Sequence, residues 1–560
     1  MKKIAIFSML AAFALASCDL DFLPAESMTS EQVKKDPGGA AYQTEGIYAM
    51  FKEPQTFKGS TSTSNTYVRH YFQMAEFRSD NTVVSGRSSD PLFAAACYTD
   101  DASLLNLSYM WWIAYRIIFV SNSVIETVDD GLSTESDHIK GENYFFRALC
   151  HLHLVTLYAK PYTQGRENPG VVLRTTTDTE VTERATVGAV YDQIEKDLLK
   201  AIELMGKGQR RGDAGYVSKE AAQGLLSRVY LYMDKNQEVV NLVDEMLGGA
   251  APESKLDPDI ANYYRNALSS RETLWAVAHL AKDTRAQSSI ASMYLSDGIG
   301  WGEIYYSDPL VLLFERYPHD LRYSSMHRYN TTGMEPDAKM IRWPVDDGIN
   351  AFRSFRLEDV TFDSTAGKYY FTDDASGNKI DVETELVNTY PQNYIQLNGS
   401  KISVVLSVKS MNRNTFPRIY NKKFSYQDDD PMLSSPVMIR WGEVILNRAE
   451  AYAKLNREGE ALADVNVLRK RAGLGDDELF TASNYRARGY ESVLGVVLDE
   501  RRMELCFEGH RAIDVYRNNL PLDRRYPGMH TWEVIQPADN RIPFRIPLDE
   551  TLVSGLLQNP

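Results

Sequence analysis

The sequence predicts a mostly α-helical protein in which about four helix pairs support an irregular region of loops and short strands. Three observations predict it. Apolar residues recur at three- and four-residue intervals from about Ala40 to Met246, and again from Pro436 to Asn518. Between those stretches Gly, Pro, Asn and Asp become frequent, and the apolar pattern shortens to alternating runs such as Lys401 to Val408. Third, a small–aromatic–small–bulky spacing recurs. Ala449, Tyr452, Ala461 and Val465 stand at steps of three, nine and four, and Ser227, Tyr230, Val239 and Val243 repeat those steps. This is the spacing that lets the paired helices of a tetratricopeptide unit approach closely.

Along the chain, Lys2 and Lys3 precede an apolar run from Ile4 to Leu15, followed by Leu15-Ala16-Ser17-Cys18. A charged start and a short apolar stretch mark a signal peptide over residues 1–17. The Leu-Ala-Ser-Cys ending looks like the lipobox of bacterial lipoproteins, which makes Cys18 the expected lipidation site and new N-terminus. Acyl chains there would anchor the protein, since each buried methylene contributes about 0.8 kcal/mol. Tyr109 to Val120 is too short for a membrane span and carries Arg116. Three parts are then expected. A helical part covers 18–250, with Tyr144 to Tyr158 closed by Pro161. An irregular insertion covers 251–435, and a helical part with a Pro- and Arg-rich tail covers 436–560. Together, 18–560 is expected to form one compact domain. Cys97, Cys150 and Cys506 show no C-x-x-C spacing, so buried thiols are expected rather than a disulfide framework or zinc site.

The 560 residues carry 61 Lys+Arg against 76 Asp+Glu, a formal charge of −15. That balance excludes a phosphate-binding basic face, hence nucleic acid, and opposes attraction to anionic lipid. A polar, neutral or cationic ligand is unopposed. The 33 Tyr and 7 Trp exceed what a helical core needs. Flat C–H faces of sugars stack on such rings, with polar side chains at their edges setting orientation. Trp111, Trp112, Trp275 and Trp441 have regular apolar neighbours and read as core. Trp301, Tyr305 and Tyr306 follow the glycine-interrupted run from Gly298, where neither helix nor strand is supported, so Trp301 is expected to be displayed.

Catalytic and metal readings are weaker. Asp499-Glu500-Arg501-Arg502, with Glu504 and Glu508, alternates acids and arginines at helical spacing, the pattern of ion pairs rather than of a glycosidase carboxylate pair. Asp428-Asp429-Asp430 reads as a solvated loop. His151 and His153 point about 200° apart on a helix and cannot clamp one metal. Asp374, Ser376, Asn378, Ile380 and Glu385 fall at calcium-loop positions, but Lys379 stands where that loop needs glycine, so a turn around Gly377 is expected. No cofactor is expected, and a structural calcium has no clear motif. Neither a phosphate-binding loop nor a G-x-S-x-G elbow is present.

Several segments together resemble the SusD/RagB family of outer-membrane nutrient-uptake lipoproteins of Bacteroidetes. Leu20-Asp21-Phe22-Leu23-Pro24 follows Cys18. Glu76-Phe77-Arg78-Ser79-Asp80-Asn81 is similar to the family's E-x-R-G-D-N, with Ser79 in place of Gly. Phe146-Arg147-Ala148-Leu149, the run from Ser218 to Tyr232, Ile439 to Tyr452, and Glu500 to Arg511 match further helices, and the ending from Pro543 to Pro560 also fits. The resemblance implies a helical scaffold with tetratricopeptide-like units, no catalysis, and a lipid-anchored place on the outer membrane facing the cell surface. There the protein would bind an oligo- or polysaccharide and lid a SusC-like TonB-dependent transporter. Asp19 and Asp21 look like the accompanying export signal. It further implies a ligand platform drawn from the central region and the loop after Asn81. That makes Arg87 and Asp90 polar candidates, and Trp301, Tyr305, Tyr306 and Trp343 stacking candidates. The alternatives are a RagB-like subunit capturing peptide or protein and, further off, a helical glycoside hydrolase.

Overall fold

The computed structural model describes residues 38–86, 91–178, 180, 182–208, 212–295, 300–346 and 352–559. The expected signal peptide and Cys18 lie outside the described residues. The helices that carry the argument are α1 (Gly39–Lys52), α2 (Tyr67–Glu76), α3 (Leu105–Thr127), α4 (Thr134–Tyr158), α5 (Val187–Met205), α6 (Lys219–Tyr232), α7 (Asn236–Leu247), α8 (Trp441–Lys454), α9 (Glu458–Arg471), α10 (Val493–Glu504), α11 (Arg511–Arg517) and α12 (Leu548–Leu552). Among the described residues, no helix is long and apolar enough to cross a membrane.

Local chemistry sets where these helices begin and end. The Ser133 side chain accepts from the Ser136 backbone while Ser136 reaches back, a capping box that starts α4, with Glu135 and Asp137 placed in its positive first turn. Ser218 caps α6 in the same way by accepting from the Ala221 N–H. The chain leaves α4 at Ala159 in extended conformation, two residues before Pro161, which could not continue the helix.

Successive helices pack in chain order from α3 to α7, and α7 then packs against α8 although the whole central region separates them in sequence. The tetratricopeptide spacing supplies the close contacts. Ser227, Val239 and Val243 in α6 and α7, and Ala449, Ala461 and Val465 in α8 and α9, are all fully buried. One apolar cluster runs from Ile47 to Leu556, and Trp111, Trp275 and Trp441 lie in it, as expected. Cys97, Cys150 and Cys506 are free and buried.

Arginine–carboxylate forks fasten the helices to one another. Arg147 of α4 holds both oxygens of Asp197 in α5 at 2.8 and 2.6 Å. Arg228 of α6 holds Glu443 of α8, Arg448 of α8 holds Asp464 of α9, and Arg517 of α11 holds Glu450 of α8. The acid–arginine alternation in α10 resolves as a buried network. Glu504 accepts from Arg322, Arg440 and Arg471, while Glu508 accepts from Arg440 and Lys423. Burial alone would raise these carboxyls. The surrounding guanidiniums instead hold Glu504 well below the carboxylate range and Glu508 at about 2. His151 and His153 are core residues. The Nδ1 of His151 faces the Arg147 carbonyl at 3.0 Å, and the His153 ring stacks on Tyr71.

The central region is more regular than its sequence predicts. Lys379–Asp381, Lys368–Thr372, Ser354–Asp363, Lys339–Val345, Ser400–Val408, Tyr390–Leu397 and Glu383–Val387 form, in that order, a seven-stranded antiparallel sheet. Its first strand approaches the sixth, so the sheet curls over its own core of Ile341, Trp343, Phe371, Val382, Ile395, Leu397 and Val404. On the opposite face, buried Arg342 turns to the helical side and pairs with Asp308 at 2.8 Å. Lys368–Glu383, Lys379–Asp363 and Lys401–Glu385 form exposed pairs between strands. Polar residues on solvated faces, with Gly-containing turns, make such strands read as loops. The calcium-like stretch is a hairpin turn. Asp373 accepts from the Ser376 N–H and hydroxyl, and Glu385 lies on the next strand paired with Lys401.

Candidate functional site

The E-x-R-S-D-N segment is a clasp. Glu76 at the end of α2 accepts from the Gly509 N–H at 2.9 Å and from the side chains of Ser79 and Asn81. Arg78 lies over the Phe544 ring, pairs with Asp100 and donates to the carbonyls of Arg541 and Ile542. Asp80 receives Arg511 and Arg502, and these guanidiniums overcome its burial to hold it far below the carboxylate range. The segment therefore binds the N-terminal helices to α10, α11 and the tail, and it fixes the start of the strand Thr82–Val84.

That strand pairs with Ile304–Tyr306, and the pairing organises one end of the molecule. Beyond it, the Ser85 N–H and hydroxyl donate to the Glu303 carbonyl, and the Asn414 amide donates to the Ser85 carbonyl at 2.6 Å. The Glu303 carboxylate pairs with Arg413 at 2.5 Å, both partly exposed. Met529 donates its N–H to the Val84 carbonyl, Gly528 pairs with Arg353, and the Arg353 guanidinium lies 5.4 Å over the half-buried Trp532 ring while bonding Asp346. A chain of backbone bonds thus runs along one rim, from Glu303 to Ser85, from Val84 to Met529 and from Gly528 to Arg353.

Trp301 is placed on this rim by the short helix Ala291–Tyr294. Its backbone N–H donates to the Ser292 carbonyl and its indole N–H to the Ser292 hydroxyl at 2.8 Å. Gly300 is required here, because a Cβ would stand 2.3 Å from the Leu295 carbonyl. Trp301 is only partly exposed and packs against the main apolar cluster, so it is less displayed than the sequence predicts.

The other expected stacking residues are not displayed. Tyr305 and Tyr306 are 1% and 3% exposed. Strand alternation turns Tyr305 into a cluster with Tyr420 and Phe416, and Tyr306 against Phe507. Trp343 is 3% exposed, because the same alternation puts it beside Ile341 in the sheet core, against Phe371. None of the three offers a ring face to a ligand. Arg87 and Asp90 lie outside the described residues. The structure adds three residues that the sequence did not single out: Trp532, Arg353 and Arg413. A lone Trp in a Pro- and Arg-rich tail carries no periodic signal that would have found it.

The arrangement offers two partly exposed indole rings and the partly exposed pairs Arg413–Glu303 and Arg353–Asp346 along this rim, a mixture suited to a hydroxyl-rich ligand. The acid-rich stretch of α10 and the turn after it, by contrast, spends Glu500, Glu504 and Glu508 on arginines and lysine in the interior.

Two family models match the chain. One, described as starch-binding and associating with the outer membrane, covers residues 48–231, and the other, described as the SusD family, covers 279–546. SusD-like protein P2 of Formosa agariphila is 23% identical over 534 residues, 93% of this chain and 91% of that protein. A SusD superfamily crystal structure from Bacteroides thetaiotaomicron is similar with a TM-score of 0.68 at 21% identity, covering 93% of this chain and 99% of that one. A structure described as a laminarin-binding SusD-like protein is similar with a TM-score of 0.58 at 20% identity, covering 93% and 98%.

Proposed function

Because the chain belongs to the SusD/RagB family, whose members are binding proteins rather than enzymes, we propose that it captures an oligo- or polysaccharide at the outer surface of the outer membrane. It then delivers that glycan to a SusC-like TonB-dependent transporter, while tethered through a lipid on Cys18. The observation that carries the reading is the rim itself. Partly buried Trp301 is held by Ser292, the partly exposed Glu303–Arg413 pair follows it in the same segment, and Arg353 stacks on Trp532 where its backbone joins Gly528. The description of the matched family, starch binding with outer-membrane association, supports the same substrate class.

Sugar stacking on half-buried rings with guanidinium and carboxylate groups at their edges requires no bond breaking, so binding without cleavage is the expected outcome. The test is calorimetric titration of the mature chain with starch- and laminarin-derived oligosaccharides, followed by analysis of the recovered glycan. Trp301→Ala and Trp532→Ala are expected to weaken binding about tenfold or more, with helical circular dichroism retained. Unchanged affinity removes Trp301 from the site, and shortened glycan overturns the binding-only reading. Transporter partnership is tested by co-purification from solubilised outer membranes, where the absence of a barrel partner would sink it.

A further inference from the structure

A second groove lies on the helical side, lined by α3, the strap that follows Val172, and Glu550 of α12, and it shares no lining residue with the Trp301 rim. Its volume is about 280 Å³, near the roughly 300 Å³ at which small-ligand pockets begin. Trp112, Tyr115, Arg116 and Phe119 stand at helical spacing on one face of α3. Trp112, expected in the core, is only half-buried, and the Phe119 ring is 46% exposed.

Two guanidiniums are held over rings rather than by acids: Arg116 lies 5.4 Å over Trp112, and Arg174 lies 5.8 Å over Tyr115. Among the described residues, neither guanidinium makes a hydrogen bond or an ion pair, so their N–H donors are unspent. Glu550 and Asp178 supply carboxylates to the same groove. Burial pushes the Glu550 carboxyl up, while the Ser554 hydroxyl and the Arg174 charge act against it. Arg174 thus feels Glu550 without closing an ion pair on it. The strap is rigid. Buried Asn122 donates to the Thr176 carbonyl at 2.7 Å, Arg147 donates to the Thr175 carbonyl at 2.8 Å, and Glu126 accepts from the N–H and hydroxyl of Thr177.

We propose that this groove is a second saccharide subsite, taking a neutral, hydroxyl-rich ring that stacks on Phe119 and bridges Arg116 and Arg174 to Glu550 and Asp178. Opposite charges held apart across a small concavity, balanced two against two, match hydroxyl groups that both donate and accept. A fixed strap lowers the ordering cost of binding. The proposal rests on the reading of the protein as a glycan binder, and it gives a long glycan two points of attachment, which raises avidity without new contacts at the first.

The test is titration of the mature chain with starch- and laminarin-derived oligosaccharides, comparing wild type with Phe119→Ala, Arg174→Gln and Trp301→Ala. Phe119 is exposed enough for its removal to spare the fold, which helical circular dichroism checks. The first two variants are expected to lose one class of binding site, with affinity there falling about tenfold or more, while Trp301→Ala keeps that class and loses the other. Wild-type binding in both Phe119→Ala and Arg174→Gln overturns the second subsite and leaves the first reading standing. Failure of every oligosaccharide to bind wild type overturns both. Unchanged glycan binding with loss of a co-purifying membrane protein in Phe119→Ala reassigns the groove to a protein contact and overturns the proposal.

Discussion

Apart from buried Arg342, which pairs with Asp308 on the helical side, the curled sheet handles charge in the opposite way to the helical frame. In the frame, arginines and acids are buried and paired bidentately across helix contacts, as in Arg228–Glu443 and Arg448–Asp464. In the sheet, Lys368–Glu383 and Lys401–Glu385 lie at the surface while a small apolar core holds the strands. A buried pair is destructive to break, because the partner left behind has no water; an exposed pair is nearly free to break. Breaking a single pair is therefore expected to cost far more in the frame, whose helices also share a large apolar core, than on the sheet surface.

The largest expected effect is in the frame. Arg440→Met strands Glu272, Glu504 and Glu508 without their shared guanidinium and should cost about 3–5 kcal/mol, read as a fall in the urea midpoint. A change below about 1 kcal/mol would break the contrast. In the sheet, Trp343→Ala should cost about 3 kcal/mol by opening the small core. Its signature is regional. Amides of residues 354–408 lose hydrogen-exchange protection while those of α8 and α9 keep theirs, and uniform loss would show the two regions to be one cooperative unit.

Acid sharpens the comparison further. Burial holds His70, His279 and His510 at about 4 and His151 at about 3, so they are neutral in the fold but protonate near 6.5 when unfolded. Their contribution is complete above about pH 6.5 and is lost as pH falls from there toward 4. Glu450 and Glu508, lowered to about 2 by their guanidiniums against the effect of burial, add stability above the ordinary carboxylate range that disappears as pH falls through it toward 2. The urea midpoint should thus decline progressively below about pH 6.5. Residues 339–408 contain no histidine, so their local exchange protection should be the least sensitive to the first part of that decline. The smallest effect belongs to Lys401→Ala, within about 0.5 kcal/mol by the same urea assay, since its pairing with Glu385 is solvent-exposed.

What the sequence by itself determined is the helical frame. A period of 3.6 is a property of neighbours in the chain, so α4, α6 and α8 were legible, as were the close contacts at Ala449 and Ala461 and the reading of Glu500, Glu504 and Glu508 as ion-pair partners. The resemblance carried the family. Tertiary structure decided the rest, because it depends on which residues meet across long separations. Alternation sent Trp343 and Tyr305 inward once their strands found partners, while Trp112 was left half-open because only part of the α3 face is covered. Trp532 met Arg353 through contacts of the tail with Val84 and Arg353. A ring's identity is written in the sequence; whether it faces core or solvent is set by what packs over it, and at this rim those partners come from distant parts of the chain.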